Sequence, residues 1–384
     1  MDKINLLVTV SVISSFISLF LSFFMLTVKT KHTLSNRLFS VFLILTTIDI
    51  SGVLFDSLNQ MPSNIGMFRN LITFLQLPAF YLYVLSVCYY DFKLKTKHLI
   101  HIVPFLIANL ILFPRFYAVN LNSKIGFLQN NSGLLEIKFT HILLHIQIVA
   151  YIIAIFLLLR KAKKLYLENY AGTSIKSLNW LFEFSLALTF FYSIALLKNV
   201  FKFTDYPDIS EWLKIGLFVF ELIIICWYLF KALNNPELFR NIDSKLKLVS
   251  DIILEEKKNE SQIVNVKELD SELMKLRIYM DEKKPFLNPS LTIQNIADEI
   301  EIPVRDLSLL INHKLGQHFF DFINTYRIEY AMTILKDTTR NKETILEILY
   351  EVGFNSKSSF NTAFKKHTDF TPTEYRKKIQ FKYL

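Results

Sequence analysis

The chain has 384 residues, 52% of them hydrophobic, and a formal net charge of +9. So much apolar sequence excludes a disordered or fibrous chain. Apolar runs longer than about 18 residues also argue against an ordinary soluble enzyme, because this length is typical of a membrane span. The two cysteines, Cys88 and Cys226, are too few for a disulfide framework, and since both lie in apolar runs we expect buried free thiols.

Seven apolar runs fill residues 1–235. Each is 21 to 25 residues long, which is enough for a helix to cross a hydrocarbon core of about 30 Å. Helices are expected because the backbone polar groups must be satisfied without water. In chain order the runs are Ile4–Val28, Arg37–Leu58, Phe68–Tyr90, His98–Ala118, Ile137–Leu159, Leu178–Val200 and Glu211–Leu233.

Basic residues lie mainly in every second loop. The loops after the first, third and fifth runs carry three, three and five lysines or arginines when Arg37, the first residue of the second run, is counted with the first loop, whereas the alternate loops between the runs carry none, one and one. Cytoplasmic loops are enriched in such residues, so the pattern predicts an N terminus outside the membrane and residues 234–384 in the cytoplasm. The net charge is +9 in residues 1–235, −1 in 236–284 and +1 in 285–384, so the excess lies in the apolar part.

Residues 236–284 are predicted to form a cytoplasmic helical connector. Pro236 breaks the seventh helix, and five apolar residues then follow at spacings of three or four. This stripe of about two heptads fits pairing with a second copy of the chain, as a homodimer, and equally fits packing on a neighbour in the same chain. A second helix is predicted over Glu268–Lys283. The stripe consists of Leu238, Ile242, Leu246, Val249 and Ile253.

The last hundred residues, 285–384, are predicted to form consecutive helices in which one plan is used twice. In Ile293–Leu315, and again in Ile345–His367, a short helix, a tight turn and a second helix follow one another. Each second helix has an apolar face and an opposite face that is mostly polar. Such a helix fits the major groove of DNA, although helix pairs of unrelated function share the pattern.

The longest motif in this region is Glu351–Phe360, EVGFNSKSSF, which is followed by Ala363–Lys366 and by Thr371-Pro372. Further residues of this region belong to the same ordered set, namely Phe286 to Thr292, Ile296-Ala297, Leu307-Ser308, Gly316, Phe322 to Asn324, Arg327, Ala331, Tyr375 and Arg376. This ordered set resembles the AraC/XylS-type DNA-binding domain over about residues 285–380. The resemblance implies two helix-turn-helix units, joined by a long helix, that read successive major grooves of one double-stranded DNA segment.

By position, the resemblance also implies contacts from both units to DNA. Base contacts are expected from Arg305, Ser308, Leu309, Lys357, Ser358, Ser359 and Thr362, and phosphate contacts from Asn355, Lys365, Lys366 and Arg376. Leu309 stands where the family commonly has an arginine, so we expect the first unit to read bases weakly. This sequence departs from the family at three other positions. Glu301 and Asp369 stand where glycine is usual, and Leu349 stands where alanine is usual.

Ionisable side chains inside the apolar runs are costly in a bilayer, and they mark candidate sites of function. They include Asp49, Asp56, His141, His145 and Glu221. We interpret these residues as a candidate intramembrane site for a small-molecule or envelope signal, with interhelical hydrogen bonding or a wetted interior as the alternative. The histidine pair has the i, i+4 spacing of metal ligands, but without further ligands we predict no metal site. No cofactor or catalytic motif is evident, and we predict that the chain is not an enzyme.

These patterns predict an all-α protein with a seven-helix transmembrane sensor region (1–235), a helical connector (236–284) and a C-terminal double helix-turn-helix domain (285–384). Seven spans followed by a domain of this family resemble membrane-bound regulators of bacteria, so we expect a multi-pass protein of the cytoplasmic (inner) membrane. In the leading hypothesis, a signal at the bundle passes through the connector to promoter DNA. Two alternatives stay open: a transporter or membrane enzyme with a fused regulatory DNA-binding tail, and a module that binds only protein partners.

Overall fold

The computed structural model describes residues 3–28, 33–58, 61–89, 91–129, 134–171, 175–202, 204, 207–234 and 266–382. Within these ranges the chain is all-α: it has no β-strand, and an isolated antiparallel β-bridge joins Tyr170 and Thr292. The chain divides into two compact units, Met1–Arg160 with Ser177–Ser244, and Lys161–Lys176 with Lys245–Leu384. Part of the predicted membrane region, Lys161–Lys176, therefore packs with the C-terminal residues.

The helices up to residue 234 are mostly long and apolar. In chain order they are α1 (Lys3–Thr27), α2 (Thr33–Ile50), α3 (Gly52–Leu58), α4 (Asn64–Leu71), α5 (Thr73–Cys88), α6 (Val103–Leu112), α7 (Leu121–Gln129), α8 (Leu135–Asn169), α9 (Ile175–Lys202) and α10 (Pro207–Asn234). A 3₁₀-helical segment, Thr96–Ile102, precedes α6, and a π-helical turn, Phe113–Tyr117, follows it.

Seven of the helical segments within the described residues are long and apolar enough to cross a membrane, as predicted. Most of their ends agree with the predicted runs to within a few residues. The fifth is the exception, because α8 continues to Asn169, well beyond the predicted end at Leu159. The basic residues after Leu159 resemble a loop, but Ala162 and Leu165 on the other side of the helix are buried. This burial explains why the helix continues.

Small polar residues bring α1 and α2 close together in the first unit. Ser11 Oγ donates to the carbonyl oxygen of Ile50 at 2.7 Å. Ser22 and Ser40 each donate to the other's carbonyl oxygen, at 3.4 and 3.1 Å. Short side chains that hydrogen-bond across a helix pair are typical of packing inside a bilayer, where burial of apolar surface gives no driving force between helices.

An aromatic cluster fills the interior of the first unit. The ring of Phe39 lies 4.1 Å from that of Tyr228 and 4.8 Å from that of Tyr83, measured between centroids. Cys88 is buried, as predicted, but the expectation for Cys226 was wrong. Cys226 lies on an exposed side of α10.

The second unit is a set of short helices around one long helix. After α8 its helices are α11 (Val266–Lys283), α12 (Ile293–Ile300), α13 (Val304–Leu309), α14 (Phe319–Lys336), α15 (Ile345–Glu351), α16 (Lys357–Thr368) and α17 (Pro372–Lys382). Helix α11 confirms the predicted helix over Glu268–Lys283. The apolar stripe Leu238–Ile253, on which the homodimer prediction depends, lies outside the described residues.

Two apolar cores lie along α14, one for each predicted helix-turn-helix unit. The first core joins the start of α14 to α11, α12 and α13, and it includes Leu276, Ile296 and Leu307. The second joins the rest of α14 to α15 and α16, and it includes Phe360 and Phe364. The long helix therefore connects the two units, as the family resemblance implied.

Candidate nucleic-acid interface

The second helix-turn-helix unit is held by an aromatic core. Helix α16 buries Phe360 and Phe364, which are four residues apart, against Ile348 and Leu349 of α15. Residues at this spacing share one face of a helix, so the opposite face of α16 points away from the core. Leu349 stands where the family usually has alanine, and it is fully buried in this core.

The turn between α15 and α16 depends on Gly353. Its φ of 87° lies in the left-handed region, which glycine adopts without steric cost. A Cβ at this position would lie 2.5 Å from the carbonyl oxygen of Phe286 and 2.8 Å from that of Leu287. The turn is therefore packed directly on the backbone of the segment that opens the domain.

The outer side of the second unit carries most of the residues predicted to contact DNA. Exposed residues are Asn355, Lys357, Ser358, Thr362 and Lys365, and Ser359 is half-buried. Thr362 Oγ1 donates to the carbonyl oxygen of Ser358 at 2.8 Å, which leaves its lone pairs to accept a hydrogen bond. Small hydroxyls flanked by lysines suit a surface that reads base edges and neutralises phosphates.

Two of the predicted phosphate contacts are engaged within the domain. Lys366 Nζ lies 2.7 Å from Asp321 Oδ1 of α14, but its side chain is 70% exposed, so exchange of this partner for a phosphate costs little. Arg376 is half-buried, and its Nη1 donates to the carbonyl oxygen of Glu343 at 2.6 Å. The guanidinium of Arg376 thus ties α17 to the segment that precedes α15, and its phosphate contact stays a prediction.

The first helix-turn-helix unit has the predicted core, with Leu307, Leu310 and Ile311 fully buried. Helix α13 is shorter than predicted, since it ends at Leu309 and a π-helical turn follows over Leu310–Lys314. Glu301 ends α12 with a φ of 55°, which explains why a glycine is usual there. Asp369, the other residue in place of a glycine, has a φ of 64° at the end of α16.

The residues of the first unit that are predicted to contact bases differ in exposure. Arg305 is exposed and Leu309 is half-buried, whereas Ser308 is only 3% exposed. Asn312 Nδ2 donates to the carbonyl oxygen and to Oγ of Ser308, at 3.0 and 3.1 Å. The hydroxyl of Ser308 is thus buried and bound by a neighbour in this structure, and its base contact stays a prediction. Asn312 Oδ1 also accepts from Phe319 N at 3.1 Å, which caps the start of α14.

Arg327 of α14 is a structural centre whose contacts the sequence did not reveal. It is 1% exposed, and its Nε and Nη2 donate to the carbonyl oxygens of Phe286 and Asn288, at 2.7 and 2.8 Å. The guanidinium lies 5.5 Å from the ring centroid of Phe354, beside the second turn. Burial lowers the pKa of Arg327 to about 10, so it stays cationic at pH 7. The sequence pointed to Arg327 only through its position in the family motif.

The first unit brings some of the predicted intramembrane residues together. Asp49 accepts hydrogen bonds from Thr73 Oγ1 at 3.1 Å and from Gln76 Nε2 at 3.2 Å. Gln76 Oε1 accepts in turn from the hydroxyl of Tyr192 at 3.2 Å. Gln76, Tyr192 and Glu221 all line one cavity of about 30 Å³, whose walls are otherwise mostly aromatic and aliphatic.

The other predicted members of this site have different partners. Asp56 forms an ion pair with Arg69 at 2.9 Å, and a Cβ at Gly52 would lie 3.0 Å from the same guanidinium. His145 directs Nδ1 at the carbonyl oxygen of His141 and Nε2 at the Asn199 amide, so both of its ring nitrogens have partners within the chain. Asp56 and the histidines do not line the cavity described above.

Comparison with known proteins concerns the C-terminal domain. A family model described as a helix-turn-helix domain matches residues 296–378. An uncharacterised HTH-type transcriptional regulator of Staphylococcus aureus (strain COL) is 36% identical over 86 residues, which are 22% of this chain and 11% of the relative. The HTH-type transcriptional activator RhaS of Mannheimia succiniciproducens is 31% identical over 83 residues, which are 22% of this chain and 30% of the relative.

A further relative and a solved structure are also similar to part of this chain. The transcriptional regulatory protein YesN of Bacillus subtilis (strain 168) is 32% identical over 93 residues, which are 24% of this chain and 25% of the relative. The chain thus spans less than a third of the length of each of these relatives. The C-terminal domain of AraT, a response regulator from Geobacillus stearothermophilus, is 30% identical, with 27% of this chain and 84% of that chain covered and a TM-score of 0.24.

The sequence motif, the two turns of the helix-turn-helix units and the family match all concern the same helices. The relatives described above are similar to this chain over 83 to 93 residues. The C-terminal part of this chain, residues 296–378, is a helix-turn-helix domain of the AraC type.

Proposed function

We propose that this chain is a membrane-tethered, sequence-specific DNA-binding transcription regulator. The observation that supports this most is the presence, in one chain, of seven apolar helices of membrane-spanning length and an AraC-type helix-turn-helix domain. The proposed location is the bacterial cytoplasmic membrane, and the distribution of basic loops supports an N terminus outside and the DNA-binding domain in the cytoplasm. Its partners in this proposal are the lipid bilayer and double-stranded promoter DNA.

In this proposal the second helix-turn-helix unit reads most of the sequence. Its outer side presents Lys357, Ser358 and Thr362 to base edges, with Asn355 and Lys365 placed for phosphates. Lys366 joins them once it leaves Asp321. The first unit contributes mainly Arg305, with Leu309 beside it, and so adds less discrimination between bases.

The signal in this proposal acts on the cavity of the first unit. Glu221 lies on α10, which is the last helix before the connector, and Gln76 links the cavity to Asp49. A volume of about 30 Å³ accommodates water or a small ion and excludes a large metabolite unless the helices move. A change in the charge or hydration of this cavity would shift α10 and, through residues 236–284, the pairing or orientation of the DNA-binding domain.

The DNA-binding part is tested with the full-length protein in lipid nanodiscs and a library of genomic fragments. We expect enrichment of particular promoter fragments. The variant Lys357→Ala/Thr362→Ala should bind them at least tenfold more weakly, because a good base contact contributes about 1–3 kcal/mol of discrimination. The matched control, Thr338→Ala/Lys342→Ala, changes two exposed residues outside the outer side of α16 and should bind as the wild type does. Enrichment no better than for random DNA would contradict the proposal.

A transporter with a regulatory tail is the second candidate, and the carboxylates Asp49 and Glu221 near an internal cavity favour it. Ion flux through proteoliposomes distinguishes the two candidates. A regulator should show no flux beyond that of its Asp49→Asn variant, whereas a transporter should show flux that this substitution abolishes.

A further inference from the structure

The end of helix α8 packs against the C-terminal helices of the second unit. Ala171, just after the helix, is 1% exposed and belongs to the apolar core of the first helix-turn-helix unit. Within the preceding turns, Ala162, Leu165 and Tyr166 are also buried. We call Lys161–Ala171 the docked segment. One side of this segment is buried, although its lysines led us to predict a loop from the sequence.

Main-chain contacts fix the register of the docked segment. The backbone N of Ala171 donates to the carbonyl oxygen of Leu291 at 3.1 Å. Tyr170 and Thr292 face each other in an antiparallel β-bridge. Thr292 is also the N-cap of α12, the first helix of the first unit, so the segment is attached where that unit begins.

Arg327 connects the docked segment to both helix-turn-helix units. Its Nη1 donates to the carbonyl oxygen of Ala171 at 2.8 Å, while its other nitrogens bind the loop before α12. The same guanidinium lies over the ring of Phe354, beside the turn of the second unit. A buried arginine needs acceptors for its donors, and the docked segment supplies one of them.

The docked segment also reaches the outer side of the first unit. Asn312 Nδ2 lies 3.4 Å from the carbonyl oxygen of Glu168, and Glu168 is itself buried. Asn312 follows Arg305, Ser308 and Leu309 along the face that the sequence predicts to enter a major groove. The far end of that face is therefore in contact with the chain's own segment, and its start, at Arg305, stays exposed.

We propose that the docked segment is an intramolecular occupant of the first helix-turn-helix unit and competes with DNA for it. DNA that follows the outer face from Arg305 to Asn312 meets the end of α8, so both units engage DNA only after the segment leaves. Helix α8 is also the fifth apolar span, so the segment is covalently continuous with the membrane part of the chain. This inference rests on the proposed function, since it assumes that the domain binds DNA, and it adds a second route of control beside the connector.

A disulfide across the β-bridge tests the competition. The bond from Ala171 N to Leu291 O makes Tyr170 and Thr292 a non-hydrogen-bonded pair, for which the Cα–Cα distance of about 4.5 Å suits a disulfide. The full-length variant Tyr170→Cys/Thr292→Cys is placed in nanodiscs, and the probe is a mixed-sequence DNA duplex at low salt. The controls are each single-cysteine variant under the same oxidant.

We expect the disulfide to form readily and the oxidised protein to bind the duplex at least tenfold more weakly than the reduced protein. Because DNA and the docked segment would occupy the same face, saturating DNA should slow disulfide formation in the reduced protein. Oxidant should leave the single-cysteine controls unchanged.

Each other outcome contradicts a particular claim. Failure of the disulfide to form shows that the segment does not dock. Equal or tighter binding by the oxidised form overturns the competition while it leaves the proposed function standing. Absence of DNA binding by the wild type and by both forms of the variant overturns the proposed function, and the competition with it.

Discussion

Two residues, Arg327 and Gly353, hold the helix-turn-helix units together through one short stretch of backbone. Arg327 Nε donates to the carbonyl oxygen of Phe286, and Gly353 packs against that oxygen and the carbonyl of Leu287. The sequence identified both residues only as members of a motif. The reason for each residue type becomes clear when the segment at 286–288 is placed beside the second turn.

We predict that Gly353→Ala lowers the free energy of unfolding of the C-terminal domain by about 3 kcal/mol, since the added Cβ would meet backbone oxygens and φ is positive at this position. Gly316→Ala is the matched control: its φ is 67°, but no atom lies within 4 Å of the added Cβ. It should cost only about 1 kcal/mol. Hydrogen exchange of α15 and α16 amides in the detergent-solubilised chain measures both. Equal losses would contradict a steric role for the turn.

Helix boundaries in the C-terminal domain follow local rules that the sequence carries. Thr292 caps α12, and Thr344 with Glu347 and Thr371 with Glu374 form reciprocal capping contacts at α15 and α17. The boundaries that the sequence missed depend on distant contacts. Helix α8 outlasts its apolar run because another part of the chain covers one side of it, and α13 gives way to a π-helical turn.

The capping contacts predict an acid limit to stability. Hydrogen bonds from the backbone and hydroxyl of Thr344 hold the pKa of Glu347 below its usual 4.5. Stabilisation by this carboxylate is therefore fully present above about pH 4.5 and is lost as the pH falls through the lower, folded-state pKa. Glu347→Gln keeps an acceptor and removes the titration, so protection of α15 amides should fall less steeply between pH 5 and pH 3.

The control for that experiment is Glu329→Gln, which changes an exposed glutamate of α14. Its acid profile should match that of the wild type. Identical profiles for Glu347→Gln and the wild type would show that the capping contact does not contribute to the acid limit.

For the whole molecule, the net charge of +9 is a poor guide to DNA binding. The DNA-binding hundred residues are almost neutral. Their basic residues are concentrated after Gly353, where the sequence has seven lysines and arginines and two acidic residues. The remaining excess lies in the apolar part, mainly in three loops. The charge thus has two separate expected roles: it orients the bundle, and it provides a local patch for phosphates.

This separation predicts how salt affects DNA binding. Each phosphate contact contributes about −0.9 to the slope of log affinity against log salt. Lys365→Ala/Lys366→Ala should therefore reduce the magnitude of the slope by about 1.8, as measured by titrations of the nanodisc-bound chain at several salt concentrations. Lys93→Ala/Lys97→Ala removes the same charge from a loop of the first unit and should leave the slope unchanged. A similar change in both variants would show that net charge, not the patch, governs binding.

The sequence alone determined the all-α class, the seven apolar helices and the AraC-type domain. These properties depend on hydropathy over one turn or one span, on capping residues and on a contiguous motif, so each is encoded locally. The tertiary structure decided which members of the motif reach the surface: Ser308 is buried, Arg376 binds the backbone of Glu343, and Thr362 stays exposed. It also placed Arg327 on Ala171, 156 residues away along the chain. Burial and hydrogen bonding at such separations depend on the packing of whole helices, which no local pattern records.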